Sequence, residues 1–201
     1  MNEIARRPGP RPTTQAAEGV PRMRWTLAEF ERLTELGILT QSDSIELIGG
    51  ELVPMSPKGN RHEVVRGAIL NWLRRNLPDQ FDLHAEPGWR ASEADYFEPD
   101  FLIGPRGCSP TSIRPEDVVL LIEIAHSSLR FDTSTKACGY ARLGVCEYWA
   151  VNAETLGTRV HRQPTADGYA SASDVSASDD LAAALVPGLS VKLSELRIDR
   201  D

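Results

Sequence analysis

Long apolar runs are missing from this sequence. No uninterrupted stretch is long enough to cross a bilayer. The opening MNEIARRPGPRPTTQAAEGVPR has no apolar segment of the kind a signal peptide carries. Neither a membrane span nor secretion is therefore expected, and a cytoplasmic setting is. Cysteine is scarce: Cys108, Cys138 and Cys146 form neither a CxxC pair nor an even framework, which excludes a disulfide scaffold and points to reduced thiols. Positive charge is also short. Against 29 Asp and Glu stand 22 Lys and Arg, a net charge of −7, which counts against a large sequence-independent grip on nucleic acid. Internal repeats are absent as well.

What is present is the composition of an ordinary globular chain. Its 201 residues, 41% hydrophobic and 25% charged, suffice for one domain with a real core. Residues 1–23 read as a disordered Pro/Arg-rich arm. Taken to Arg24, this segment holds five Arg against Glu3 and Glu18, a local charge of +3. Residues 24–201 form the expected domain.

Along that domain the pattern alternates between helix and strand. Thr26 with Glu29 makes a capping box at the start of a helix. SIELIGGELVPM reads as a hairpin turning at Gly49-Gly50. RHEVVRGAILNWLRRNL places Val65, Ala68, Ile69, Trp72 and Leu73 on one helical stripe. FDLHAEPGWR reads as a strand. EPDFLIG and VVLLIEI read as two more, the latter central. A helix follows, from Asp132 as N-cap to Gly144 as its stop. EYWAVN and TLGTRVHRQ form a late hairpin, and a polar Ser/Asp-rich segment, 171–180, leads into LAAALVPGLSVKLSEL. The mixture predicts an α/β domain around a mixed sheet.

Two carboxylates stand out, because apolar strands have little use for ionised groups. Asp100 opens one strand and Glu123 sits inside the next. Burying them needs a cation, a hydrogen-bond network or a metal. Lys136 shares a helix face with Asp132 and Tyr140, from which it can reach back toward both acids. Two carboxylates and a lysine suit phosphodiester hydrolysis: the acids hold a hard divalent cation and the ammonium orients water or opposes developing charge. The same residues could also be a structural ion pair with one extra acid. His84 and His161 read as structural, Cys138 as core packing, and Trp72, Tyr148 and Trp149 as core.

EPD followed by LLIEIAHSSLRFDTSTKACGYARLGVCEYWAVN resembles the Uma-two family of restriction endonucleases, assigned to the PD-(D/E)xK nuclease superfamily. IELIGGELVPMSPKGNRH and LVPGLSVKLSEL add to the likeness, which spans residues 25–197. The resemblance implies a restriction-endonuclease-like fold, a mixed central sheet flanked by helices. It also implies that Asp100, Glu123 and the backbone carbonyl of Ile124 bind Mg²⁺ or Mn²⁺. The superfamily lysine normally stands two residues after the glutamate, where this chain has Ala125; the family pattern supplies Lys136 from the next helix instead. Glu46 and His62 match positions near the site, with Glu46 supporting a second ion or the water. His126 falls where a polar or acidic residue is common and reads as a surface or supporting group. DNA as substrate and a homodimer are further implications. Two other functions stay open: a catalytically silent nucleic-acid-binding or scaffold protein of the same fold, and a hydrolase using Asp100 and Glu123 as an acid/base pair on a substrate such as a glycan.

Overall fold

Strongly apolar strands need cover on both faces, and that requirement organises the molecule. The computed structural model describes residues 13–15, 21–40 and 43–198. Of the arm expected to be disordered, residues 1–12 and 16–20 lie outside the described residues; Thr13–Gln15 (β1) and Pro21–Met23 (β2) pair antiparallel. The helix α1, Leu27–Glu35, starts at the predicted capping box, with Thr26 and Glu29 bonded reciprocally.

The early hairpin is Ile45–Ile48 (β3) and Glu51–Pro54 (β4). Ile48 faces Glu51, leaving a two-residue turn in which Gly49 and Gly50 both take positive φ, 58° and 83°. That geometry is open to glycine at little cost. Asn60–Asn76 forms α2, with Val65, Ile69, Trp72 and Leu73 buried as the stripe predicts. The single strand expected from FDLHAEPGWR is instead two. Phe81–Ala85 (β5) and Trp89–Ser92 (β6) lie in different sheets, because Glu86 at positive φ, with Pro87 and Gly88 after it, turns the chain between them.

Asp95–Phe97 (β7), Phe101–Pro105 (β8) and Leu120–Ala125 (β9) follow. The next helix begins earlier than expected and is irregular. Leu129–Phe131 (α3) leads into a π-helical turn, Asp132–Lys136, and then Ala137–Leu143 (α4). Asp132 is therefore not the N-cap. It lies inside the helix and its carboxylate accepts from Ser128 Oγ at 2.6 Å. Gly144, in the left-handed region, ends α4 as predicted. Glu147–Asn152 (β10) and Thr158–Thr165 (β11) make the late hairpin. The first half of the polar segment is a strand: Gly168–Val175 (β12) pairs with β11, its alternating small and polar residues suiting an edge strand. Two short strands follow, Leu181–Ala182 (β13) and Ser190–Val191 (β14), and a 3₁₀ turn at Leu193–Glu195 comes after them.

The main sheet runs β12-β11-β10-β9-β8-β5, with β9 and β10 parallel and the other neighbours antiparallel. A second sheet runs β4-β3-β7-β6. Side chains alternate across β9. Leu120, Ile122 and Ile124 pack with α2 and the C-terminal segment, whereas Leu121 packs with α4 and the second sheet. Tyr148 and Trp149 are buried, one on each side of the main sheet. The architecture is the expected mixed α/β fold. Among the described residues no helix is long and apolar enough to cross a membrane.

Candidate active site

The register of β8 against β9 decides where the acids meet. Phe101 pairs with Ile122, so one step outward sets Asp100 opposite Glu123. Cross-strand partners share a face, and two like charges there repel. Pro99 has no N–H for the ladder, and β8 begins two residues later at Phe101, leaving Asp100 at its mouth. The Asp100 N–H lies 3.4 Å from Glu123 Oε2, and the Ile124 N–H donates to Asp100 Oδ2 at 2.8 Å. Both carboxylates are buried, Asp100 to 2% exposure and Glu123 to 6%.

Lys136 answers the repulsion. The π turn directs it inward, and its Nζ lies 2.7 Å from Glu123 Oε1 and 3.0 Å from Glu46 Oε1. Such turns recur where a helix must aim a functional side chain. Tyr140, on α4, donates to the same Glu123 Oε1 at 2.7 Å. Glu46, from β3, also accepts from the Glu98 N–H at 2.9 Å. Burial works against the Lys136 charge, but Glu123, Glu46 and Asp132 together outweigh it and hold this ammonium protonated beyond the usual lysine range. Glu123 shifts the other way. Burial, then the nearby acids Asp100, Glu46 and Asp132, overcome the attraction of Lys136 and push its carboxyl up to about 8. Asp132 is also raised, chiefly by burial.

Asp100 is treated differently. Burial would raise it, but His62, Lys58 and the Ile124 N–H hold it below the usual carboxylate value. His62, near the start of α2, places Nε2 3.1 Å from Asp100 Oδ2. Burial opposes its protonation, yet Asp100 raises the imidazole on balance. Lys58 Nζ approaches Asp100 Oδ1 at 3.4 Å, an ionic contact, and Oδ1 is buried with no hydrogen-bond partner.

These acids form the floor of a cleft of about 560 Å³. Its walls include Lys58 from the segment after β4, and Ser128, Arg130 and Thr135 from the helical crossover. Buried oxygens with spare acceptor capacity on two adjacent strands suit a hard divalent cation, and Asp100 Oδ1 is such an oxygen. Among the described residues no three His, Cys, Asp or Glu side chains converge as a metal-binding group. A cation here would therefore draw on the two carboxylates, a backbone carbonyl and water, a mixture Mg²⁺ accepts.

Of the residues singled out in the sequence, Asp100, Glu123, Lys136 and Glu46 come together, and Ile124 lines the same cleft. Ala125, where the superfamily lysine would stand, is fully buried, and among the described residues Lys136 is the lysine paired with Glu123. His62 joins them; His126 sits on the cleft wall, exposed, with Nε2 2.8 Å from Glu154. His84 and His161 lie elsewhere. Cys138 is exposed rather than core, because it lies on the outer side of α4, with Sγ 3.9 Å from the Asp167 carbonyl. Sequence reasoning overlooked Lys58 and gave Tyr140 no role. The repeat Asp132, Lys136, Tyr140 held the signal for the tyrosine, whereas nothing local marks a loop lysine 42 residues before Asp100.

Comparison with known proteins bears on the fold and the family. No curated protein matches. A crystal structure described as that of "a putative nuclease belonging to DUF820" from Anabaena variabilis is similar, with a TM-score of 0.66 and 13% identity, covering 85% of this chain and 96% of that one. At that identity the likeness speaks for the fold alone. The Uma2 (Uma-two) family, described as "Putative restriction endonuclease", matches residues 27–195. The chain thus belongs to the Uma2 family, and the match spans every element that builds the acidic cleft.

Proposed function

We propose that this protein is a metal-dependent endonuclease that hydrolyses nucleic-acid phosphodiester bonds, DNA in the first place, with Mg²⁺ or Mn²⁺. The observation that carries the reading is the register-opposed pair Asp100 and Glu123 with Lys136 bonded to the latter at the base of an open cleft. Family membership supports it.

Each residue then has a task. Asp100 Oδ1 and Glu123 Oε2, with the Ile124 carbonyl, would hold the cation. Lys136 and Tyr140 occupy Glu123 Oε1, which turns Oε2 toward Asp100. His62 and the Ile124 N–H fix Asp100 Oδ2 and leave Oδ1 as the ligand atom. A bound divalent cation would acidify its water and polarise a phosphate oxygen. Lys136 opposes the negative charge that builds on the phosphate and orients the attacking water. Glu46 holds Lys136 in place from the other side.

A second reading has its own support. Glu123 and Asp100 already have cationic partners, and Ala125 stands where the superfamily has its lysine, which suits a catalytically silent nucleic-acid-binding or scaffold protein of the same fold. Plasmid relaxation separates the readings. Nicking that needs Mg²⁺ or Mn²⁺, stops in chelator and disappears in Asp100→Ala is the expected result. Absence of nicking under all conditions would favour the silent protein, and cleavage of another substrate in chelator would favour acid/base hydrolysis.

A further inference from the structure

Lys58 is placed oddly for a loop lysine. Residues 55–59 have no regular structure, yet the Lys58 side chain is 30% exposed and reaches across to the floor of the cleft. Its ammonium touches two acids of different kinds. One is Glu86, part-exposed and also held by Arg66 at 3.0 Å. The other is Asp100, buried, approached at the one oxygen that has no hydrogen-bond donor. The remaining Asp100 oxygen is taken by His62 and the Ile124 N–H. A divalent cation seeking Asp100 therefore meets the side already facing Lys58, and two cations close to one oxygen repel.

We propose that Lys58 is an exchangeable counter-ion of Asp100: its ammonium and a divalent metal ion compete for Oδ1, and Glu86 receives the ammonium when the metal wins. The inference rests on the metal-site reading above. Glu86 suits the receiving role because Lys58 is bonded to it in the same arrangement, so the exchange needs a swing of the side chain and no new partner.

The competition predicts opposite effects at its two ends. Removing the ammonium removes a rival, whereas removing the Glu86 charge leaves Asp100 as the acid that Lys58 pairs with. Mn²⁺ titrated calorimetrically into the full chain tests this. Lys58→Met, which keeps the aliphatic stem, should bind about fivefold tighter than the parent, and Glu86→Gln about threefold weaker. Arg114→Ala, an exposed residue paired with Asp117 and outside the cleft lining, should leave affinity unchanged. Melting curves confirm that each variant is folded, and Lys58→Gln serves if the methionine variant is not. A Lys58 that only braces its loop would not move the two affinities in opposite directions. Mn²⁺ binding lost in Asp100→Asn but untouched in both Lys58→Met and Glu86→Gln would overturn the counter-ion role while leaving the metal site standing. Failure of the parent and of Lys58→Met to bind Mn²⁺ would overturn both. Binding by Lys58→Met alone would show a counter-ion strong enough to exclude the metal.

Discussion

Two buried glutamates on neighbouring strands of one sheet, Glu123 on β9 and Glu147 on β10, have opposite surroundings. Glu147 is saturated. Its Oε1 accepts from Trp149 Nε1 at 2.8 Å and from Arg162 at 2.7 and 3.1 Å, and its Oε2 accepts from the Ala184 N–H at 2.7 Å. Arg162 also donates to the Ala182 carbonyl, so the cluster ties the C-terminal segment to the main sheet. Glu123 shares one lysine with Glu46 and is crowded by Asp100 and Asp132. Among the described residues, the contact of its Oε2 is the long one of 3.4 Å to the Asp100 N–H. A buried acid does not by itself mark a site. Excess acid over cation, beside an open cleft, does.

The contrast should break first in stability. Glu147→Ala strands Arg162 and the Trp149 N–H, and is expected to cost about 3 kcal/mol in denaturant unfolding. Glu123→Gln keeps the volume and relieves acid crowding, so it should stay within about 1 kcal/mol of the parent. Equal losses in the two variants would erase the distinction.

His161 gives the next effect, on the structural side of the comparison. It stacks on Tyr148 at 5.4 Å, and its buried Nε2 has no partner. Burial, then Arg159, lowers its pKa to about 4. The unfolded imidazole titrates near 6.5, so its contribution is full above that value and fades as pH falls through 6.5 toward 4. Stability should therefore drop by about 2 kcal/mol between pH 7 and 4.5 from this group, and His161→Phe should flatten that part of the profile. An unchanged slope in the variant would assign the acid sensitivity elsewhere.

Protons and metal should compete at Glu123. Its carboxyl is pushed up to about 8, so it is mostly protonated at pH 6.5 and mostly ionised at pH 8.5. Mn²⁺ affinity is expected to rise by roughly twentyfold across that interval, and the rise should vanish in Glu123→Gln. The smallest effect concerns Lys136. Lys136→Ala should keep Mn²⁺ binding but cut nicking turnover by at least about tenfold, some 1.4 kcal/mol of transition-state stabilisation. Unchanged turnover would remove the ammonium from the chemistry and leave it a purely structural counter-ion, like Arg162.

Much of this arrangement is legible in the chain. Capping at Thr26, the glycine turn, the α2 stripe and the apolar β9 are local signals, and each forms as read. Asp100 and Glu123 stand out because charge is costly in such strands. What escapes is set by distance. Glu86 turns one expected strand into two through a φ of 49°, and the polar β12 becomes a strand only because β11 offers an edge. The π turn that aims Lys136 leaves no mark on spacing. Lys58 meets Asp100 only once α2 and β8 have packed, and the pairing of Glu147 with Arg162 likewise depends on the fold of the late hairpin.

Anomalous diffraction from a crystal soaked in Mn²⁺ would show which of the two glutamates takes metal. A peak is expected within coordination distance of both Asp100 and Glu123, on the cleft side, and none at Glu147. A peak elsewhere, or an empty cleft floor at saturating Mn²⁺, would contradict the proposed metal site.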